Sequence, residues 1–236
     1  MFNNHENYWV SLSDIMTGLM VIFMFIAISY ILQVQRQQQS VDDLLKDYSE
    51  TVEKLYEELK VEFEEDFTEE NWNAKLEDDL SIRFLNERVL FYEGDARVRT
   101  RFRAILDDFF PRYIGILLKP EYRNKIAEVR IEGHTNSRGG YMDNLRLSQE
   151  RTSNVLDYIF FNSDSAFSSL PAKDKELVKF WFTANGFSSG RTIDDSGKLT
   201  LYSGKEEDFT TSRRVEFRIV MKTDELVQNK KKKKKE

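Results

Sequence analysis

The sequence predicts a membrane-anchored α/β protein: a single spanning helix, a helical stalk, and an α/β sandwich at the C-terminal side. Three observations predict it. No residue from Ile15 to Gln35 is charged, which is about the length a helix needs to cross the hydrocarbon core. Apolar residues then recur at Val41, Leu45, Tyr48, Val52, Leu55 and Leu59, with alternating steps of four and three, the spacing of a helical seam. From Leu80 onward, short alternating runs exchange with runs of helical spacing, the order of an α/β domain.

The span is placed at residues 10–34, after a short N-terminus of residues 1–9. Residues 1–14 contain no Lys or Arg, so the basic region of a signal peptide is missing. The apolar run is also too long for one, and an uncleaved anchor is expected. Asp14 stands at the mouth of this run. A carboxylate at the centre of such a helix costs about 2.5–3.5 kcal/mol, so its presence calls for a function. Capping the helix at the interface is the plain alternative. Arg36 after the span weakly favours a cytoplasmic C-terminus by charge bias; the character of the C-terminal domain, below, favours the opposite orientation.

Residues 35–79 are expected to be a helical stalk. The stretch has neither proline nor glycine, so nothing in it breaks a helix. The seam suits either a parallel dimeric coiled coil or an amphipathic helix lying on a domain.

The sandwich is placed at residues 80–223. Leu80–Leu85 and Val89–Tyr92 read as strands, broken at Glu93-Gly94-Asp95. Phe102 to Phe110 has helical spacing that should stop at Pro111. Ile126–Gly133 alternates as a strand, Leu145–Phe160 returns to helix, and residues 162–172 are Ser-rich and turn-like. Lys173–Lys179 is a short helix, Phe180–Ala184 a strand, and Arg213–Met221 a strand with one polar face. The predicted order is β-α-β-α-β-β. Residues 224–236 end in Lys230–Lys235, a solvated tail or a contact for anionic lipid or wall polymer.

Composition excludes several functions. There is no cysteine, so disulfides and thiolate metal sites are absent. Net charge is −6, of which Lys230–Glu236 contributes +5, leaving −11 on the remainder. An acidic body argues against general nucleic-acid binding. The chain has two His and shows no metal-ligand or Ser/His/Asp spacing. No enzyme activity, cofactor or metal is expected, and His134 reads as a structural hydrogen-bonding residue.

Four segments carry a resemblance: Phe91–Ala96, Ile131-Glu132-Gly133-His134-Thr135-Asn136-Ser137-Arg138-Gly139, Asn144-Leu145-Arg146-Leu147-Ser148-Gln149-Glu150-Arg151, and Ser212–Phe217. In this order they resemble the peptidoglycan-binding domain of the OmpA/MotB family. The resemblance implies an OmpA-like α/β sandwich in the periplasm, with a pocket for the diaminopimelate end of a wall peptide formed by Asn136, Tyr141, Asn144, Leu145 and Arg151. Arg151 would fork onto a carboxylate. Asn144 would cap its helix, and the helix start would offer N–H groups to an anion. The family usually carries Asp at the position of Asn136. An amide brings no charge to the ligand ammonium, and Asp143 is the candidate to compensate.

The run Trp9-Val10-Ser11-Leu12-Ser13-Asp14-Ile15-Met16-Thr17-Gly18-Leu19-Met20 resembles the ion-carrying helix of MotB-type stator subunits, and most of all that of the MotB-like subunits of Zorya anti-phage defence systems. The resemblance implies an inner-membrane homodimer inside a ring of a multi-span MotA-like (ZorA-type) partner. Asp14 and Thr17 would pass H⁺ or Na⁺, and Gly18 would admit a neighbouring helix. A flagellar-type stator and a passive wall tether are the alternatives.

Overall fold

The computed structural model describes residues 4–85, 87–161 and 166–223. The Lys-rich tail lies outside the described residues. The chain divides into two compact units, residues 1–50 and residues 51–236.

In the first unit, helix α1 (Asn4–Phe63) begins. It contains a stretch long and apolar enough to cross a membrane, by length and composition. The apolar side chains from Ile15 to Leu32 are exposed, as lipid-facing residues of a single span would be. In the second unit, the last turns of α1 are part of the globular core. Leu55, Leu59 and Phe63 are fully buried, and the compact unit begins at Thr51 where the sequence placed a domain start at 80. The lower half of the seam is therefore an amphipathic helix lying on its domain. Helix α1 also stops at Phe63, short of 79. Glu62, Glu64, Glu65 and Asp66 crowd that end, and acidic residues oppose the negative pole of a helix C-terminus. Arg112 crosses from another helix to pair with Glu62 and Asp66, each at 2.7 Å.

The sheet has five strands in the order β1-β2-β5-β3-β4. These are β1 (Ala74–Leu76), β2 (Ser81–Phe84), β3 (Ile126–His134), β4 (Phe182–Gly186) and β5 (Arg214–Met221). β3 and β4 are parallel and the remaining pairs antiparallel. The three-residue β1 lay inside the predicted stalk; it is too short to show a period. Val89–Tyr92 is not a strand. A short helix α2 (Glu87–Leu90) precedes a lone bridge between Phe91 and Val98. Leu90 and Phe91 are both buried, and consecutive residues of a strand face opposite sides.

Helix α3 (Thr100–Leu117) runs through Pro111. The proline is on the exposed side, where water can take the carbonyl that loses its N–H partner. Beyond it Tyr113, Ile114, Ile116 and Leu117 are buried, and that burial outweighs the lost bond. Phe109 of α3 is central to an aromatic core, with Tyr113 at 4.8 Å, Phe217 at 5.1 Å, Phe63 at 5.3 Å and Phe84 at 5.4 Å. After the short α4 (Pro120–Arg123) come β3, α5 (Tyr141–Phe161), α6 (Ala166–Ser169), α7 (Ala172–Trp181), β4, α8 (Thr200–Ser203) and β5.

Helix α5 lies tightly on β3 and β4. A Cβ on Gly133 would meet the Ser148 carbonyl oxygen at 2.7 Å, and one on Gly186 would meet the Gln149 backbone nitrogen at 2.6 Å. Only glycine permits this approach. Gly186→Ala should therefore cost about 1–3 kcal/mol. The thermal midpoint of the detergent-solubilised chain should fall by roughly 2–4 °C per kcal/mol. An unchanged midpoint would contradict the packing.

Candidate functional site

The inward stripe of α5 is Ser148, Arg151, Thr152, Val155 and Ile159, all buried. Arg151 is thus carried into the interior by helical spacing and is not a surface arginine. Its Nε donates to the Asp95 carbonyl at 3.0 Å and its Nη2 to the Tyr92 carbonyl at 3.3 Å. Its guanidinium lies 4.8 Å from the Phe91 ring centre. Asn154, three residues on, donates to the Ala96 carbonyl at 2.9 Å. The helix therefore grips the 92–96 turn, whose Gly94 has φ +66°.

At the other end of α5, two asparagines hold the preceding loop. The helix starts at Tyr141, so Asn144 sits within its first turn and does not cap it. Its Nδ2 donates to the carbonyls of Asn136 at 3.2 Å and Arg138 at 2.9 Å. It staples the preceding loop where a cap would have accepted an N–H. Asn136 is buried. Its Nδ2 donates to the Phe209 carbonyl at 3.1 Å and its Oδ1 accepts the Arg138 N–H at 3.2 Å. An aspartate could not make the first of these bonds. Asp143 is exposed and turned to Arg146 at 3.4 Å. Tyr141 is exposed with its carbonyl bound by the Ser188 hydroxyl at 2.7 Å. Leu145 is half-buried, and its carbonyl accepts the Ser148 hydroxyl at 3.0 Å.

Arg151 meets Phe91, Gly133, His134, Arg213 and Arg214 at a contact too tight to admit a water molecule. The three arginines are held by protein groups: Arg151 by the 92–96 turn, Arg213 by the Phe209 carbonyl at 3.1 Å, and Arg214 by Glu216 at 2.6 Å.

Arg214 begins the polar face of β5 that the alternation in the sequence predicts. Cross-strand register sets His134 opposite Arg214, Glu132 opposite Glu216, and Arg130 opposite Arg218. Like charges directly opposite repel, and pairs along β5, across to β2, diagonally to β3 and to the covering segment offset this. Glu216 meets Arg214 at 2.6 Å, Arg218 at 3.0 Å and Arg83 at 3.1 Å; Glu132 meets Arg191 at 3.2 Å and Arg218 at 3.3 Å. This face is buried under the 187–212 segment. Phe187 stacks on His134 at 5.3 Å, and the Arg191 and Ser212 carbonyls accept from Arg214 at 3.2 and 3.1 Å. Glu132, His134 and Glu216 bring three ligand-type atoms within 4.8 Å of one another. The carboxylates already serve arginines, so a further cation has no charge to compensate there.

His134 Nε2 lies 3.7 Å from Glu132 and 3.9 Å from Glu216, beyond hydrogen-bond reach. The expected hydrogen-bonding role is replaced by stacking. Burial and the neighbouring Arg214 push its imidazole down to about 4, against the pull of Glu132 and Glu216. Burial alone would raise Glu216, but Arg214 overrides it and holds the carboxyl at about 2.

In the first unit, Asp14 and Thr17 are both exposed on α1. Thr17 donates its hydroxyl to the Ser13 carbonyl at 2.8 Å. No atom lies within 4 Å of a Cβ built on Gly18, which leaves room for a neighbour.

These values give a pH dependence with a definite sign. His134 binds its proton less readily in the fold, at about 4, than at its ordinary 6.5. Between those values the unfolded chain holds more protons, so the stability is complete above about pH 6.5 and is lost as pH falls toward 4. The difference corresponds to about 3 kcal/mol. Glu216, with a folded value of about 2 against 4.5, contributes above 4.5 and is lost below it, in the same sense. Unfolding free energy should fall from pH 7 to 4.5, and His134→Gln should flatten that slope. A wild-type profile already flat in this range would contradict the assignment.

No protein-family model matches the chain. Among individual proteins it is similar to the Zorya protein ZorB of the Crooks strain of Escherichia coli, with 37% identity over 225 residues, covering 91% of this chain and 88% of that one. A second Escherichia coli Zorya protein ZorB is 22% identical over 218 residues, covering 90% and 79%. Among solved structures, a MotB-like protein from Desulfovibrio vulgaris aligns with a TM-score of 0.45 and 20% identity, over 72% of this chain and 91% of that one. The periplasmic domain of Helicobacter pylori MotB aligns with a TM-score of 0.39 and 12% identity, over 64% and 82%. From the long match at 37% identity, the chain belongs to the ZorB family of Zorya proteins.

Proposed function

We propose that this chain is the wall-anchored, ion-carrying subunit of an inner-membrane stator serving Zorya anti-phage defence. The observation that carries the proposal is Asp14 at the head of an uncharged, membrane-length run, in a chain of this family. Two copies pair through their spans within a ring of a multi-span MotA-like subunit, with the N-terminus cytoplasmic and the globular unit periplasmic. Asp14 takes up H⁺ or Na⁺ on one side and releases it on the other. Thr17 supports the step in a defined way. Its hydrogen is committed to Ser13, so what it offers is oxygen lone pairs, which suit a protonated carboxyl or a cation. Gly18 admits the neighbouring helix. No covalent chemistry is involved; ion passage turns the ring relative to a dimer fixed to the wall.

Wall attachment is assigned to the end of the globular unit where the 92–96 turn and the 136–138 loop meet α5. Arg151 is the guanidinium that suits the carboxylate at the diaminopimelate end of a peptidoglycan stem. Asn136 and Asn144 shape the adjoining loop in this reading.

Asp14→Asn should abolish phage protection while the variant still co-purifies from membranes with a multi-span partner. Full protection by the variant would refute the ion role. Failure of the wild-type chain to retrieve any multi-span partner would reduce the protein to a passive wall tether.

A further inference from the structure

We propose that the lysine run Lys230–Lys235 docks along the solvent face of this chain's own helix α1, between Asp43 and Glu57, as a salt-sensitive strap. Residues 42–57 carry six acidic residues against two lysines. Asp43, Asp47, Glu50 and Glu57 recur at steps of four, three and seven, which aligns them on one side of a helix. Glu53 flanks the row, and all five are exposed. The seam residues Leu45, Tyr48, Val52, Leu55 and Leu59 fall on the opposite side at 3.6 residues per turn. Leu55 and Leu59 are buried there, so the acidic row faces away from the core. Lys46 approaches Glu50 only to 3.9 Å, beyond hydrogen-bond reach. The row keeps a net negative field that suits a polycation.

The fold delivers the C-terminal segment to the flank of this row. At the end of β5 the Lys222 N–H donates to the Lys125 carbonyl at 2.9 Å. Lys125 Nζ in turn donates to Thr51 Oγ1 at 2.7 Å. Thr51 follows Glu50 on α1 and sits between the seam and the acidic row. The chain from Lys222 to Lys230 can reach about 28 Å when extended, and Asp43 is about 12 Å along the helix from Thr51. The lysine run can extend to about 20 Å, which matches the helix length of about 21 Å from Asp43 to Glu57. Each exposed lysine–carboxylate pair is weak. Tethering offsets this, because a short linker presents the lysines to the row at millimolar effective concentration. Lipid headgroups and wall polymer are anionic too, but the fold does not hold either of them beside the end of β5.

The test is zero-length carbodiimide coupling of the detergent-solubilised full chain, read by mass spectrometry on a mixture of isotope-labelled and unlabelled protein. Lys230–Lys235 should couple to Asp43, Asp47, Glu50, Glu53 or Glu57 of the same copy. The yield should fall about threefold between about 50 and about 500 mM NaCl, as screening shortens the attraction. In a second measurement, trypsin should cut the wild-type tail about threefold more slowly at low salt than the tail of a variant carrying Asp43→Asn, Glu50→Gln, Glu53→Gln and Glu57→Gln. The substituted positions are exposed, so the core is left as it is. Coupling found only between copies, no coupling to α1, or equal cutting of the two proteins at low salt would overturn the proposal. Coupling that persists in phosphatidylcholine vesicles but disappears in phosphatidylglycerol vesicles would assign the lysines to lipid and overturn it as well.

Discussion

The globular unit depends on the contact between α5 and the parallel pair β3–β4. Gly133 and Gly186 let the helix backbone approach until no methyl group fits between. The Ser148 hydroxyl then accepts the Ser188 N–H at 3.1 Å, so the approach is also a hydrogen bond that fixes the chain leaving β4. This single packing decision places every part of the proposed wall site. It turns Arg151 inward over Phe91, sets Asn144 under the 136–138 loop, and holds the 187–190 turn against Tyr141. Close packing of this kind transmits small changes in volume directly, which is why the two glycines matter more than their size suggests.

The opposite face of the sheet is built on charge. Arg83, Arg191, Arg214 and Arg218 interleave with Glu132 and Glu216 beneath the 187–212 segment. Burying ions is costly, and a buried pair is weak evidence of net stability. What the arrangement supplies is position. The strand register and the bond to Glu216 fix Arg214 opposite His134 and under the 187–212 segment, whose Arg191 and Ser212 carbonyls it binds.

Much of this was legible in the sequence where long periods operate. β3, α5 and β5 were placed to within a few residues, since burial on one side imposes period two or 3.6 over many positions. β1 is three residues long and shows no period. Pro111 misled because its exposed side hides the burial on the opposite face of α3. The end of α1 was ambiguous because one seam serves equally for a partner helix or for a domain, and only the core around Phe63 and Phe109 decides. At the site, motif spacing pointed to Asn136, Tyr141, Asn144, Leu145 and Arg151 but carried no information about their hydrogen-bond partners. The alternation Arg214, Glu216, Arg218 was visible, yet period two alone does not say whether a polar face meets water or a covering loop.

The central claim concerns the carboxylate at the head of the apolar run. A structure of the membrane complex retrieved with this chain tests it most directly. The expected result is Asp14 enclosed between its own helix and a neighbouring multi-span subunit, with Thr17 beside it and Gly18 against the partner backbone. Asp14 lying in bulk water or among lipid headgroups, remote from any other subunit, would contradict the ion-motor assignment.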